Sequence, residues 1–358
     1  MIENRLDKRI KVSNKVLLRI AKIDELKGRW SGSLALNPRI LGQLKRSVII
    51  TSAGSSTRIE GSKMSDKEVD RFLRGLNQNA PKGGDEEEVA GYADILGRIF
   101  DHYDTLKITE SGILHLHDLM LKFSKKDELH RGKYKTKDNT VAIVEKGEVK
   151  KILFNPTPPW LVKKEMDDTF FWLTENLEKK DIHPLVIISN FIFEFLAIHP
   201  FEDGNGRLSR ALTNLMLLQQ GYAFVPYVSL EEIIESRQSE YYISLRQTQK
   251  NHKTDNENIE TWLLFFLDCV LTQTKQALKL LEGNDPIKLL SEIQKQVYDK
   301  FISDGELSVS EIQRATHISL GTVKQALSRL LERNLIERLG QGRATRYKKL
   351  DWKSIPQV

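Results

Sequence analysis

The chain has 358 residues, 40% hydrophobic and 29% charged, a globular composition long enough for two or three domains. Its single cysteine, Cys269, excludes an internal disulfide framework and a cysteine-only metal site; with no apolar run of transmembrane length and no apolar leader after Met1, a reducing cytoplasm is expected. The formal net charge is +6, and nine Lys/Arg against four Asp/Glu between residues 305 and 350 place most of it near the C-terminus.

To about residue 110 the apolar residues recur at helical spacing, over 36–50, 63–76 and 85–103, with a break at Asn79-Ala80-Pro81-Lys82-Gly83-Gly84. Thr109 is the expected N-cap of a helix carrying Ile113, Leu116 and Leu119. Residues 140–144 and 149–154 are β-prone around the turn Glu145-Lys146-Gly147-Glu148, which predicts a β-hairpin. A lone hairpin is marginally stable, so a helical body is expected behind it. A helix over 160–176 follows, and Pro184 then opens the run 185–198, in which only Ser189, Asn190 and Glu194 are polar. A helix apolar almost all round belongs at the centre of a fold. After a polar loop, the amphipathic run 208–220 stops at Gly221. Helices over 229–249 and 259–281 come next, with Cys269 expected as a small buried hydrophobe. Gly283-Asn284-Asp285-Pro286 is the expected domain boundary, and no internal repeat is visible.

The loop between the two central helices holds the densest chemistry, His199-Pro200-Phe201-Glu202-Asp203-Gly204-Asn205-Gly206-Arg207-Leu208-Ser209-Arg210. A histidine there can take a proton from an attacking hydroxyl. His115, His117, His130 and His183 lack such company and are expected to be structural. A carboxylate at Asp203 can hold Mg²⁺, which takes one or two carboxylates plus phosphate oxygens and waters; by position alone Glu202 is an equal candidate. Gly204-Asn205-Gly206 stands before a helix whose first N–H groups lack internal partners, a natural anion nest, though a Gly-Asn-Gly by itself is an ordinary tight turn. Arg207 and Arg210 share a helix face near an N-terminus, where cations are unfavourable unless an anion joins them. Arginine also grips phosphate with a planar fork. Phe201 is expected to be buried and to anchor the loop.

This loop resembles the signature of the Fic domain family, His-x-Phe-x-(Asp/Glu)-Gly-Asn-Gly-Arg-x-x-Arg, at all eight defined positions. The resemblance extends over roughly residues 45–275. It implies transfer of AMP from ATP to a Ser, Thr or Tyr hydroxyl of a target protein, with Mg²⁺. His199 would be the general base and Asp203 the metal ligand. Gly204, Asn205 and Gly206 would hold phosphates through backbone and amide groups, Arg207 would grip the β-phosphate side, and Arg210 would hold the γ-phosphate. The hairpin over 140–154 would be the flap on which the target segment docks as an added strand. Tyr242 is a candidate for the adenine pocket, core packing being the alternative.

A second motif, Ser56-Thr57-Arg58-Ile59-Glu60-Gly61, is similar to the family's inhibitory pattern (Ser/Thr)-x-x-x-Glu-(Gly/Asn) in the class whose inhibitory helix is N-terminal. It implies that Glu60 pairs with Arg210 and keeps the γ-phosphate from docking productively. Thr57-x-x-Glu60 also has the spacing of a helix capping box. Some family members remove AMP with the equivalent glutamate, and Glu60 is a candidate for that role too.

In the C-terminal part a helix is expected from Ser308 or Ser310. A turn at Thr316-His317-Ile318-Ser319 leads to a second helix over 320–330, and a two-stranded wing has Gly340-Gln341-Gly342 at its tip. This looks like a winged helix-turn-helix, with the second helix as recognition helix. Lys324, Arg329, Arg343 and Arg346 are candidate phosphate contacts, and Thr322, Gln325 and Ser328 candidate base readers. Protein contact or homodimerisation is the other use of such a domain. The expected fold class is mainly α, a Fic-type helical domain with a β-hairpin flap, plus a small C-terminal winged-helix α+β domain. Its expected parts are an N-terminal helical region over 1–110 with the inhibitory helix near 45–61, a catalytic core over 111–282 and a winged domain over 287–350. The readings are therefore an AMP-transferring enzyme restrained by Glu60, a DNA-binding regulator that uses the same domain as a nucleotide sensor, and transfer of another phosphate-bearing group. No P-loop motif G-x-x-x-x-G-K-(S/T) is present.

Overall fold

The computed structural model describes residues 4–31, 38–76, 80–139, 141–145, 148–283, 290–301, 305–332, 335–340, 342 and 345–350. The chain forms two compact units, one of Met1–Lys27 with Leu41–Ala277, the other of Gly28–Ile40 with Leu278–Val358. Among the described residues no helix is long and apolar enough to cross a membrane.

The chain begins with α1 (Arg5–Lys8), α2 (Asn14–Ser31), α3 (Pro38–Ile59), α4 (Asp66–Gly75), α5 (Gly84–His102) and α6 (Glu110–Met120), the end of α2 and the start of α3 falling in the second unit. The antiparallel hairpin β1 (Val141–Glu145) and β2 (Glu148–Phe154) follows, pairing Glu145 with Glu148. Thr140, Lys146 and Gly147, the start of the expected hairpin and the middle of its turn, lie outside the described residues. Then come α7 (Pro159–Lys179), α8 (Pro184–Ile198), α9 (Asn205–Gln219), a 3₁₀ turn over Val225–Tyr227, α10 (Leu230–Ser236), α11 (Gln238–Gln249) and α12 (Glu260–Gly283).

The core is built on α8, whose residues are buried from Leu185 to Ile198 and pack against α7 and α9. Its start is fixed by Pro184 at the first helical position and by His183, whose Nδ1 accepts from the Leu185 N–H at 3.2 Å. Its end is fixed by His199 in the left-handed region at φ 52°, with the His199 N–H donating to the Phe195 carbonyl at 2.9 Å.

The one carboxylate on this apolar helix, Glu194, is 1% exposed and pairs with Arg9 and Arg5 of the N-terminal segment. His252 Nε2 lies 3.2 Å from it, and Glu257 joins the same network through Arg9 at 2.8 Å. Burial alone would raise the Glu194 carboxyl; Arg9, the His252 hydrogen bond and Arg5 outweigh it and hold the group well below the ordinary carboxylate range. Glu194, His252 and Glu257 have metal-ligand spacing. The two guanidiniums already satisfy both carboxylates, so this is an ionic tie between the chain's N-terminal segment and its central helix.

Four expected helices differ in extent, and the run 36–50 differs most, continuing to Ile59 as α3. The run 63–76 is helical only from Asp66, because Ser65 and Glu68 form a capping box. The run 229–249 is broken at Arg237 into α10 and α11. The run 208–220 begins three residues early, at Asn205, because Gly204 adopts φ 81° and turns the chain directly into the helix.

The second unit carries α13 (Glu292–Tyr298), β3 (Glu306–Leu307), α14 (Val309–Thr316), α15 (Leu320–Glu332), β4 (Ile336–Leu339) and β5 (Arg346–Lys349), with an antiparallel sheet in the order β3-β5-β4. Ser308 caps α14 in a capping box with Glu311. Val297, Tyr298, Phe301, Ile312, Val323, Leu327, Leu330 and Ile336 form its core. The helices, turn and wing are those of a winged helix-turn-helix; α13 and β3 complete it and were not anticipated. The expected boundary from Asn284 to Pro286, Gln341 at the wing tip, and Arg343 lie outside the described residues.

Candidate active site

The segment from His199 to Arg210 folds around Phe201, which is fully buried and stacks on the His117 ring with centroids 3.7 Å apart and planes 12° from parallel. The Asn205 side chain closes the turn by accepting from the Phe201 N–H at 2.9 Å and donating to the Phe201 carbonyl at 2.8 Å. The amide expected to reach a phosphate is thus committed to holding the loop, which leaves Asn205 its backbone N–H for a ligand. Gly204, in the left-handed region, brings its Cα against α6, where an added Cβ would stand 2.6 Å from Met120 Cε.

His199 follows directly on the end of α8. Its Nδ1 donates to the Leu196 carbonyl at 3.3 Å, which leaves Nε2 as the acceptor. Burial, and next to it the Lys135 cation, push the imidazole down to about 4 against the opposing pull of the Leu196 carbonyl, Glu60 and Asp203. The ring is therefore neutral at physiological pH and able to take a proton.

Asp203 Oδ1 accepts from the Gly204 N–H at 2.6 Å and from Arg207 Nη2 at 3.0 Å, and Oδ2 accepts from Lys126 Nζ at 3.1 Å. Burial opposes ionisation of Asp203, but Arg207 and Lys126 dominate and lower it to about 2. Glu202 instead faces Thr136 Oγ1 at 3.3 Å. Arg207 is 2% exposed, and its Nη1 lies 3.3 Å from Glu88 Oε2 as an ion pair; among the described residues neither this Nη1 nor Nε makes a hydrogen bond. Buried guanidinium N–H groups without acceptors are costly, and an anion satisfies them.

Arg210, also 2% exposed, is held by the last turn of α3. Nε donates to Ser56 Oγ at 2.9 Å, and Nη2 donates to the Ser56 carbonyl at 2.9 Å and to Glu60 Oε1 at 2.8 Å. Burial works against the guanidinium's charge, yet Glu60 keeps it raised above its ordinary value. Its Nη1 is a third buried nitrogen of this site that makes no hydrogen bond among the described residues. Glu60 lies so close on the first turn of α9 that a Cβ on Gly206 would come within 2.2 Å of Oε1. The capping-box alternative for Thr57 and Glu60 is overturned: Thr57 lies in the last turn of α3, and its hydroxyl donates back to the Ala53 carbonyl at 2.9 Å. Tyr242 touches the same helix end, its hydroxyl donating to the Ile59 carbonyl at 3.0 Å.

Four contributors to this cluster were not singled out from the sequence: Lys126, Glu88, Lys135 and, among the histidines set aside as structural, His117. The His117 Nε2 donates to the Asp203 carbonyl at 3.0 Å, and its Nδ1 accepts from the Gly132 N–H at 2.9 Å. Spacing from Asp203 carries no signal for it; the partners are 86 residues apart. His130 pairs with Asp127 at 3.1 Å and His183 caps α8, the structural roles expected of them, whereas His115 is exposed. Cys269 is 2% exposed, and burial pushes its thiol up to about 12.

On α15 the exposed residues among those described are Leu320, Gly321, Lys324, Gln325, Ser328 and Arg329, opposite the buried Val323, Leu327 and Leu330. Thr322 is partly withdrawn, bonded to Ser319 Oγ at 2.7 Å. Arg346 is engaged with the Glu306 carbonyl at 2.9 Å and lies 3.6 Å from Glu311.

Residues 107–217 match the model of the Fic/DOC family, and residues 290–353 match that of the sugar-specific transcriptional regulator TrmB. A probable protein adenylyltransferase of Aquifex aeolicus is 28% identical over 187 residues, covering 48% of this chain and 58% of the relative. A protein adenylyltransferase of Caenorhabditis elegans is 35% identical over 92 residues, covering 26% of this chain and 17% of the relative. The chain thus spans little more than half of the first relative and less than a fifth of the second. A Fic family protein from Desulfovibrio desulfuricans has the same fold, with a TM-score of 0.61 and 22% identity over 97% of this chain and 98% of that one. A Fic domain containing signaling protein from Bacteroides thetaiotaomicron gives 0.58 at 21% identity, over 76% and 99%.

Proposed function

We propose that this chain, which carries a Fic/DOC-family domain followed by a TrmB-like winged helix, is a protein adenylyltransferase restrained by Glu60. The observation that carries the reading is the pair of buried arginines at the start of α9, Arg207 and Arg210, with three buried nitrogens that make no hydrogen bond among the described residues, one of them beside Glu88, in the same loop as a neutral His199. Those donors suit the phosphates of ATP. The relatives' activity supports AMP as the group moved.

In this reading the target hydroxyl gives its proton to His199 Nε2 as its oxygen bonds to the α-phosphorus of ATP. The bond from that phosphorus to the bridging oxygen breaks, and pyrophosphate leaves with the electron pair. Arg207 and Arg210 hold the departing phosphates, and the N–H groups at the start of α9 add to the cradle. The half-exposed, ionised Asp203 fits a Mg²⁺ ligand, because one carboxylate with phosphate oxygens and waters is the usual set. Lys126 would have to leave Oδ2. Bound there, Mg²⁺ would neutralise phosphate charge. The target segment docks along the β1–β2 hairpin, and Tyr242 borders the adenine. With Glu60 on Arg210, the position for the γ-phosphate is taken.

The test is transfer of label from α-labelled ATP to protein by the wild type, Glu60→Gly and His199→Ala. The reading expects label with Glu60→Gly, little with the wild type and none with His199→Ala. No label in any of the three would reject it. A second reading, a DNA-binding regulator that senses nucleotide, is favoured by the TrmB match and by Lys324, Gln325 and Arg329 on the exposed face of α15. Strongly salt-dependent binding of duplex DNA, together with nucleotide binding but no transfer by Glu60→Gly, would select it.

A further inference from the structure

The stretch between α6 and the hairpin holds the main chain around the loop at three places, and α6 holds it at a fourth. Lys135 Nζ donates to the Ile198 carbonyl at 3.4 Å, and the Lys135 N–H donates to the Pro200 carbonyl at 2.9 Å. Asn139 Nδ2 donates to the Phe201 carbonyl at 3.0 Å, and His117 Nε2 to the Asp203 carbonyl at 3.0 Å. His199 sits between the two carbonyls that Lys135 holds.

Lys135 is 3% exposed. Among the described residues its ammonium donates to Asn139 Oδ1 at 2.6 Å and to Ile198, both neutral acceptors, while Asp138 and Glu165 are the carboxylates whose charge reaches it. Burial pushes this ammonium down to about 8, so at neutral pH it is still largely charged. A buried cation on neutral acceptors is expensive to keep. A packing role is served more cheaply by an apolar side chain, so the charge calls for a purpose of its own.

We propose that Lys135 is a positioning residue for His199, gripping the main chain on both sides of the histidine and setting a positive charge against its ring. This rests on the reading of His199 as the proton acceptor. The charges that act most strongly on the imidazole are Lys135 from this stretch, Glu60 from the end of α3 and Asp203 from the loop itself. The two carboxylates favour a protonated ring. Lys135 opposes them, and so keeps the ring ready to receive a proton when Mg²⁺ or substrate changes the charge around Asp203.

The experiment places Lys135→Met and Lys135→Arg in the Glu60→Gly background and follows two quantities. These are the rate of AMP transfer between pH 4.5 and 8, and the titration midpoint of the His199 ring by NMR, assigned with His199→Ala. For Lys135→Met the transfer rate is expected to fall about threefold at pH 4.5, where the shifted ring is mostly protonated, and to show almost no such loss at pH 6 to 8. The His199 midpoint should rise by about 1 pH unit, and Lys135→Arg should restore both quantities. An unmoved His199 midpoint in Lys135→Met, with the rate lowered equally at every pH, overturns the proposal and leaves Lys135 as packing. If Lys135→Met does not fold, Lys135→Gln, which keeps a donor without the charge, is read by the same criteria. Should Glu60→Gly itself transfer no AMP, the functional reading fails, and the NMR midpoint still decides the role of Lys135.

Discussion

Glu60 and Arg210, 150 residues apart in sequence, meet at 2.8 Å. The same guanidinium is held by the side chain and the carbonyl of Ser56, so the last turn of α3 occupies three of its hydrogen-bond directions. A charge-assisted hydrogen bond of this kind contributes about 1.5–3 kcal/mol, which corresponds to roughly ten- to hundredfold in an equilibrium. Glu60→Gly is therefore expected to raise AMP transfer by about that factor, and Glu60→Gln, which keeps an acceptor without the charge, by less. Initial rates of label incorporation check the order of the three proteins.

Arg58 anchors the turn that carries Glu60. It donates to Glu235 at 2.6 and 2.9 Å and to the Met64 carbonyl at 3.0 Å, and pairs with Asp66 at 2.9 Å. It touches none of the loop from His199 to Arg210 in these contacts, yet it fixes the turn on which Glu60 stands. Arg58→Ala should release transfer by a few fold, about one partly exposed charged contact's worth. A wild-type rate in that variant would show that the end of α3 is held without it.

The depressed titration of His199 sets an expected pH profile. A group that ionises near 4 is almost entirely neutral at pH 6, whereas an ordinary histidine near 6.5 would be mostly protonated there. The acidic limb of transfer by Glu60→Gly should therefore lie below about pH 5, with little loss between pH 8 and pH 6. A midpoint near 6.5 would place the base in water, contrary to its enclosure.

Gly204 is a sharp test of the loop's backbone. At φ 81° a side chain costs about 1–2 kcal/mol, and the new Cβ would also press on Met120 Cε at 2.6 Å. Gly204→Ala should lower the melting temperature by about 3–6 °C and the transfer rate with it. Calorimetry of both proteins measures the first effect.

Cys269, buried with its thiol near 12, should resist alkylation in the native protein at pH 8 and react fully in denaturant. Mass spectrometry after iodoacetamide treatment distinguishes the two. Rapid native labelling would mean that α12 opens readily.

What the sequence revealed and what it hid divide along the distance between partners. The eight-position signature, the apolar run of α8 and the Ser308–Glu311 capping box are local, and each could be read from neighbouring residues. The pairing of Glu60 with Arg210 was expected from two motifs together, and the structure brings those side chains into contact. His117, Lys126 and Lys135 reach the loop from 63 to 86 residues away, and nothing in their own neighbourhood marks them. The early start of α9 was missed for a different reason: a Gly-Asn-Gly stretch looks like loop, but Gly204 turns the chain sharply enough for Asn205 to open the helix.

The buried nitrogens of Arg207 and Arg210 that make no hydrogen bond among the described residues have a practical consequence at the bench. Once Glu60 is removed, a guanidinium enclosed from water has lost its counter-charge, and it will take any small tetrahedral anion in the buffer. Phosphate or sulfate at millimolar concentration would then compete with the nucleotide, so a released variant assayed in phosphate buffer would look weaker than it is. Moving the same protein into a buffer without oxyanions should reveal the difference as a change in apparent KM for ATP, with the limiting rate preserved.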